Sequence, residues 1–157
     1  MFNIGDKIVY PMHGAGTIEG VEQKKILGEV HEYYVLKIPV GDMKVMVPTN
    51  NIEGIGIREV SSEEEANRVI EVFKSCDEEE WENNWNKRYR DNIERMKTGN
   101  LEDIAKIAKS LILRDQKKSL SNAERKMLGN AKNIMLSELV LAKKMSYDEL
   151  EAMLFQL

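Results

Sequence analysis

The chain has 157 residues, one cysteine, two histidines and a formal net charge of -4. That length buries a hydrophobic core without staples, and a lone Cys76 excludes an internal disulfide framework and suits a reducing cytoplasm. No apolar run approaches the roughly 20 residues of a membrane span, and MFNIGDKIVYP lacks the basic and apolar regions of a signal peptide, so a soluble cytoplasmic protein of one or two domains is expected.

Up to about Val60 the pattern is that of strands. GDKIVYP, GAGTIEGVEQ, EYYVLKIP and MKVMVP are short runs rich in Val, Ile and Tyr, bounded by Gly, Pro and Asp. In MKVMVP, Met43, Val45 and Val47 share one face while Lys44 and Met46 share the other, as a half-buried strand requires. Lys25 to Glu29, with Gly28, reads as a hairpin connection, and Gly41-Asp42 as a turn. Four or five strands this close together predict a small twisted barrel or SH3-like sheet.

After Arg58 the period becomes helical. Ser61-Ser62 followed by three glutamates suits the positive end of a helix whose inner stripe is Ala66, Val69, Ile70 and Phe73. A second helix is expected from about Glu79 to Lys97, with Trp81, Trp85, Tyr89 and Ile93 spaced by four. Asn100 caps a third, which buries Leu101, Ile104, Ala105, Ala108, Leu111 and Ile112. Ser121 with Glu124, and Ser146 with Glu149, match the capping box in which each side chain satisfies the other's free backbone donor. Their helices carry Met127, Leu128, Ala131, Ile134, Met135 and Leu139, then Leu150, Met153 and Leu154. The fold class is therefore α+β: a β domain over 1–60 and a bundle of about five helices over 61–157, close enough in sequence to pack together.

Charge is segregated along this plan. Ser62 to Glu82 holds nine acidic residues against Arg68 and Lys74, whereas Lys87 to Lys132 holds 13 basic and six acidic residues. A charge run usually solvates a helix face, and an acidic block followed by a basic one weakens that reading.

The residues of an enzyme are missing. Pro11-Met12-His13-Gly14-Ala15-Gly16 is glycine-rich but lacks the Lys-Ser/Thr ending of a nucleotide loop and precedes a strand, so its glycines are expected to shape a turn. His13 and His31 have no second cysteine to complete a structural zinc site, and the acidic run after Cys76 disfavours a thiolate. No cofactor, metal or small-molecule substrate is expected.

Five segments together resemble the CarD-type (CarD/CdnL) transcription regulators: Gly5 to Gly16 (GDKIVYPMHGAG), Glu32 to Lys37 (EYYVLK), Val47-Pro48, Asn84 to Tyr89 (NWNKRY) and Leu120 to Leu128 (LSNAERKML). The resemblance covers essentially the whole chain. It implies a Tudor-like N-terminal domain, shared with transcription-repair coupling factors, that binds the β subunit of RNA polymerase, and a helical domain that contacts promoter DNA at the upstream edge of the bubble. It implies no enzymatic activity, since a chain of this length without a Walker motif is not a helicase. A sheet edge suits strand addition to a partner, with Lys24, Lys25, Ile26, Lys44 and Met46 as candidate polymerase contacts. Some family members carry arginine at the positions of Lys24 and Met46, so one polar contact is absent here.

On the DNA side the resemblance points to Trp85 as a minor-groove wedge. Spacing alone places Trp85 on a core stripe with Trp81 and Tyr89. The polar and basic flank Asn84-Trp85-Asn86-Lys87-Arg88, taken with the resemblance, favours an exposed wedge at Trp85 and leaves Trp81 as the packing residue. Lys87, Arg88, Arg90, Lys117, Lys118, Arg125 and Lys126 are the phosphate candidates, positioning the protein without reading sequence. The contrasting reading is an RNA- or ribosome-associated adaptor, because small barrels with basic helices also bind structured RNA.

Overall fold

The computed structural model describes residues 2–76 and 84–155. Five strands come first: β1 (Lys7–Tyr10), β2 (Gly14–Ile26), β3 (Glu29–Ile38), β4 (Met43–Pro48) and, after a single helical turn α1 (Ile52–Ile55), β5 (Arg58–Glu59). They form one antiparallel sheet in the order β4-β3-β2-β1-β5. Leu27 and Gly28 connect β2 to β3 with φ of 50° and 83°. Positive φ at both central residues is the type I′ geometry whose twist matches that of the strands. A bulge between Ile18 and Gly20 bends β2. Its first half lies in the core, whereas every residue from 21 to 30 is exposed, so the hairpin projects into solvent.

Among the described residues five helices follow: α2 (Glu63–Ser75), α3 (Trp85–Lys97), α4 (Leu101–Lys117), α5 (Asn122–Lys143) and α6 (Tyr147–Leu154). Capping sets their starts. Ser62, Asn84, Asn100, Ser121 and Ser146 each accept a hydrogen bond from the backbone N–H three residues on, satisfying one of the donors a helix start leaves open. The expected inner stripes of α2 and α4 are buried, apart from a partly covered Ile112. Met153 is exposed, against expectation, because the eight-residue α6 buries Leu150 and Leu154 against the bundle and Met153 lies off that face. Helix α3 starts at Trp85, behind an extended Asn84 cap, and both the expected start near Glu79 and Trp81 itself lie outside the described residues.

The two halves have separate cores. One gathers Ile8, Ile18, Tyr34, Leu36, Ile38, Val47 and Ile57; the other is built on α2, α4 and α5, and Val40 packs against both. The halves are joined where the glycine-rich β1–β2 turn meets α5. Gly14, at φ 115°, lies so close that a Cβ there would come 2.8 Å from Ser137 Oγ. The next N–H, of Ala15, donates to that hydroxyl at 2.9 Å. Pro11 packs beside Gly99, and His13 stacks on Tyr10 with ring centroids 4.1 Å apart. The turn expected from these glycines is thus also a plug between domains.

A second joint involves charge. Glu138, 2% exposed on α5, takes a two-pronged hydrogen bond from Arg58, both contacts at 2.8 Å. It also accepts from the Ser61 N–H at 2.9 Å and the Ser61 hydroxyl at 2.7 Å. Arg58 in turn donates to the Gly99 carbonyl at 2.6 Å. A buried carboxylate with this many donors is well compensated, and its partners are the residues that link sheet to bundle.

Candidate functional site

Two surfaces gather the side chains that the sequence singles out. On the sheet, Tyr34, Leu36 and Ile38 point into the core, so His31, Tyr33, Val35 and Lys37 share the opposite face. Lys24 pairs with His31, Ile26 with Glu29, Met46 with Val35 and Lys44 with Lys37, and directly paired residues point the same way. Lys24, Ile26, Met46 and Lys44 therefore occupy one face, whereas Lys25, opposite Val30, points to the other. They are not one cluster. His31 and Lys37 are six residues apart on β3, about 20 Å of strand, so Lys24 and Lys44 lie at opposite ends. Lys44 sits 3.3 Å from Glu19, and Met46 is half-buried. β4 is an outer strand of the sheet, with a free side for pairing.

The second surface forms where the starts of α3 and α5 meet the end of α4. Trp85 opens α3, 39% exposed, with its ring stacked on Tyr89 at a centroid distance of 5.3 Å and 14° between planes. Its indole N–H lies 3.2 Å from Glu124 Oε1 and 3.3 Å from Ser121 Oγ. The residue is neither in the core nor a free flap: Tyr89 covers one side, its polar edge is tied down, and the remainder faces solvent.

Around it the basic candidates separate into two kinds. Lys87, Arg90, Lys117, Lys118, Arg125 and Lys126 are exposed. Lys117 and Lys118 end α4, four and three residues before Ser121, which touches Trp85. Arg125 lies 3.6 Å from Asp115, and Arg90 leans on the Asn86 carbonyl. Arg88 departs from expectation. It is 5% exposed, with Nε 3.0 Å from Glu124 Oε2 and Nη2 3.0 Å from Oε1, so it is not an exposed phosphate ligand. The cause is helical geometry, since Arg88 points from α3 toward α5 while Lys87 and Arg90 point outward.

The same contact alters a second expectation. Ser121 caps α5, but Glu124 does not return the bond to complete a capping box; its carboxylate turns to Arg88 and Trp85 instead. Glu124 and Tyr89 are thus members of this surface that sequence reasoning assigned to capping and packing. Ser62 and Ser146 do form complete boxes, with Glu65 and Glu149.

Among the described residues no group of three or more His, Cys, Asp or Glu is placed to hold a metal ion, and no helix is long and apolar enough to cross a membrane.

Comparison with known proteins matches both halves. Residues 2–61 fit the family model described as CarD-like/TRCF RID domain, and residues 68–155 the model described as CarD, C-terminal domain. The chain is 36% identical over 152 residues to a Bacillus subtilis (strain 168) protein described as "Putative transcription factor YdeB", covering 97% of this chain and 99% of that protein.

Proposed function

The chain belongs to the CarD family of non-enzymatic transcription factors, and from that premise we propose that it bridges RNA polymerase and promoter DNA. The sheet domain grips the polymerase β subunit through the face carrying Lys24, Ile26, Lys44 and Met46, with the exposed hairpin and outer strand β4 as its border. The helical domain braces the upstream edge of the melted region, where Trp85 stacks in the minor groove and Lys87, Arg90, Lys117, Lys118, Arg125 and Lys126 meet phosphates. The observation that carries this reading is the half-exposed Trp85, backed by Tyr89 and tied by its indole N–H to the start of α5, on helices whose exposed residues include these cations.

The physical logic needs no chemistry on DNA. An aromatic wedge flanked by cations holds a deformed duplex, and stacking is indifferent to sequence. Tethering to polymerase raises the local concentration of this contact, so a small basic surface suffices on a protein of net charge -4. Contacts available only in the melted promoter shift the population toward it.

The test uses the full chain, with purified polymerase β subunit and with promoter complexes challenged by competitor. Lys24→Glu with Met46→Glu should abolish capture of the β subunit, whereas Trp85→Ala should leave capture intact and shorten the lifetime of the open complex about 5- to 150-fold, the scale of one lost stack. Capture of ribosomal components in place of polymerase, or an open complex indifferent to Trp85→Ala, would overturn the assignment.

A further inference from the structure

Trp85 is held by a buried ion pair whose position has no explanation in helix capping alone. Glu124 Oε1 lies within hydrogen-bond distance of two donors, Arg88 Nη2 at 3.0 Å and the Trp85 indole N–H at 3.2 Å, while Oε2 takes Arg88 Nε at 3.0 Å. Ser121 adds a second contact to the indole at 3.3 Å, and Glu124 is 2% exposed. Tyr89 covers one side of the ring, stacked 14° from parallel. The indole is therefore located by its edge and by one face, which leaves the rest of the ring for a ligand.

We infer that Arg88 and Glu124 form a positioning pair that presets the Trp85 indole for stacking before DNA arrives. This rests on the proposed role of Trp85 as a DNA contact. Two physical arguments carry it. An aromatic side chain that is already in its bound rotamer loses less conformational freedom on binding than one that must be ordered by the ligand. A bare carboxylate beside a phosphate-binding surface would repel DNA, but the two-pronged guanidinium both neutralises it and fixes the direction of its acceptor lobes. Arg88 thus serves the DNA surface from behind the tryptophan.

The experiment is run on the full chain with Trp81→Phe, which removes the only other indole. The readouts are the indole N–H resonance of Trp85, with its exchange rate, and the open-complex lifetime. Arg88→Met with Glu124→Leu replaces the pair by apolar groups of similar volume, an exchange that folded proteins tolerate far better than loss of one partner. It is expected to move the indole resonance, speed its exchange and shorten the open-complex lifetime on the order of 2- to 10-fold, the worth of one hydrogen bond. Glu124→Gln keeps one acceptor oxygen for the indole but removes the charge opposite buried Arg88, so it should lower the melting temperature while holding the resonance and the lifetime nearer to their original values than the double variant does.

An unchanged resonance in the double variant, a displaced indole with an undiminished lifetime, or a Glu124→Gln variant as impaired as the double one would each overturn the proposal. Trp85→Ala separates the two levels. A shortened lifetime there with none in the double variant sinks the positioning pair alone; an unchanged lifetime in Trp85→Ala sinks the DNA contact, and the pair with it.

Discussion

Lys87 and Arg88 are neighbours on the first turn of α3, yet one is exposed and the other buried against Glu124. Their substitutions should differ accordingly. Arg88→Ala leaves the Glu124 carboxylate buried without its cation and is expected to cost about 3–5 kcal/mol of stability, read as a lower melting temperature or denaturant midpoint. Lys87→Ala should leave melting unchanged and weaken only the DNA contact. Equal stability losses at both positions would contradict the burial difference. Trp85, at 39% exposure, belongs with Lys87 in this respect: its truncation should fall well short of the roughly 3–5 kcal/mol of a core aromatic.

At the level of elements, the β1–β2 turn has both a conformational and a packing reason for its glycines. Gly14 has a positive φ and faces Ser137; Gly16 packs so tightly on β3 that a Cβ would lie 2.5 Å from the Lys37 carbonyl oxygen. Gly16→Ala meets backbone that has no rotamer to yield, and is expected to destabilise the fold by about 1–3 kcal/mol. Alanine at Gly20, where a Cβ would meet nothing within 4 Å, should be much milder. Thermal melts of the two variants check the contrast. The basic surface lends itself to a different measurement. If Lys87, Arg90, Lys117 and Lys118 neutralise phosphates, each lost contact lowers the slope of log affinity against log salt by about 0.9. Replacing Lys117 and Lys118 together by alanine should flatten that slope by roughly 2, in binding measured across a salt series. An unchanged slope would remove both from the interface.

Across the whole molecule, Glu138 connects what happens at the two surfaces. It holds Arg58 and Ser61 between β5 and α2, so the sheet and the bundle have a defined relative placement. A protein that anchors at one end and wedges at the other needs that placement, because a loose joint spreads Trp85 over a larger volume and lowers its effective concentration at the promoter. Glu138→Ala leaves Arg58 without its carboxylate and is expected to destabilise by about 3–5 kcal/mol. Arg58→Met with Glu138→Leu keeps the volume and removes the charges. That pair should retain β-subunit capture yet shorten the open-complex lifetime, and small-angle scattering should report a broader distribution of domain separations. Wild-type lifetime with broadened scattering would show that fixed domain placement is not needed.

Local patterns in the sequence determined the elements and their buried stripes. The Ala66-Val69-Ile70-Phe73 spacing and the serine and asparagine caps depend on residues within one turn of each other, and the backbone obeys them directly; of the expected inner face of MKVMVP only Val47 is fully buried, and Met43 is exposed. The five segments that resemble the family lie within residues 2–61 and 68–155, the two spans its models match. Tertiary structure decided which polar residues face inward. Arg88, Glu124, Arg58 and Glu138 look like surface residues until a partner on another helix or on the sheet neutralises them, 36 residues away in one case and 80 in the other. Glu138 alone carried a sign of this, lying within the apolar run Met135-Leu136-Ser137-Glu138-Leu139-Val140-Leu141. For Arg88 no such sign exists, since the apolar residues near it, Trp85, Tyr89 and Ile93, follow a stripe of their own that excludes it; its burial follows from how α3 is rotated against α5, a long-range outcome that no short window of sequence contains.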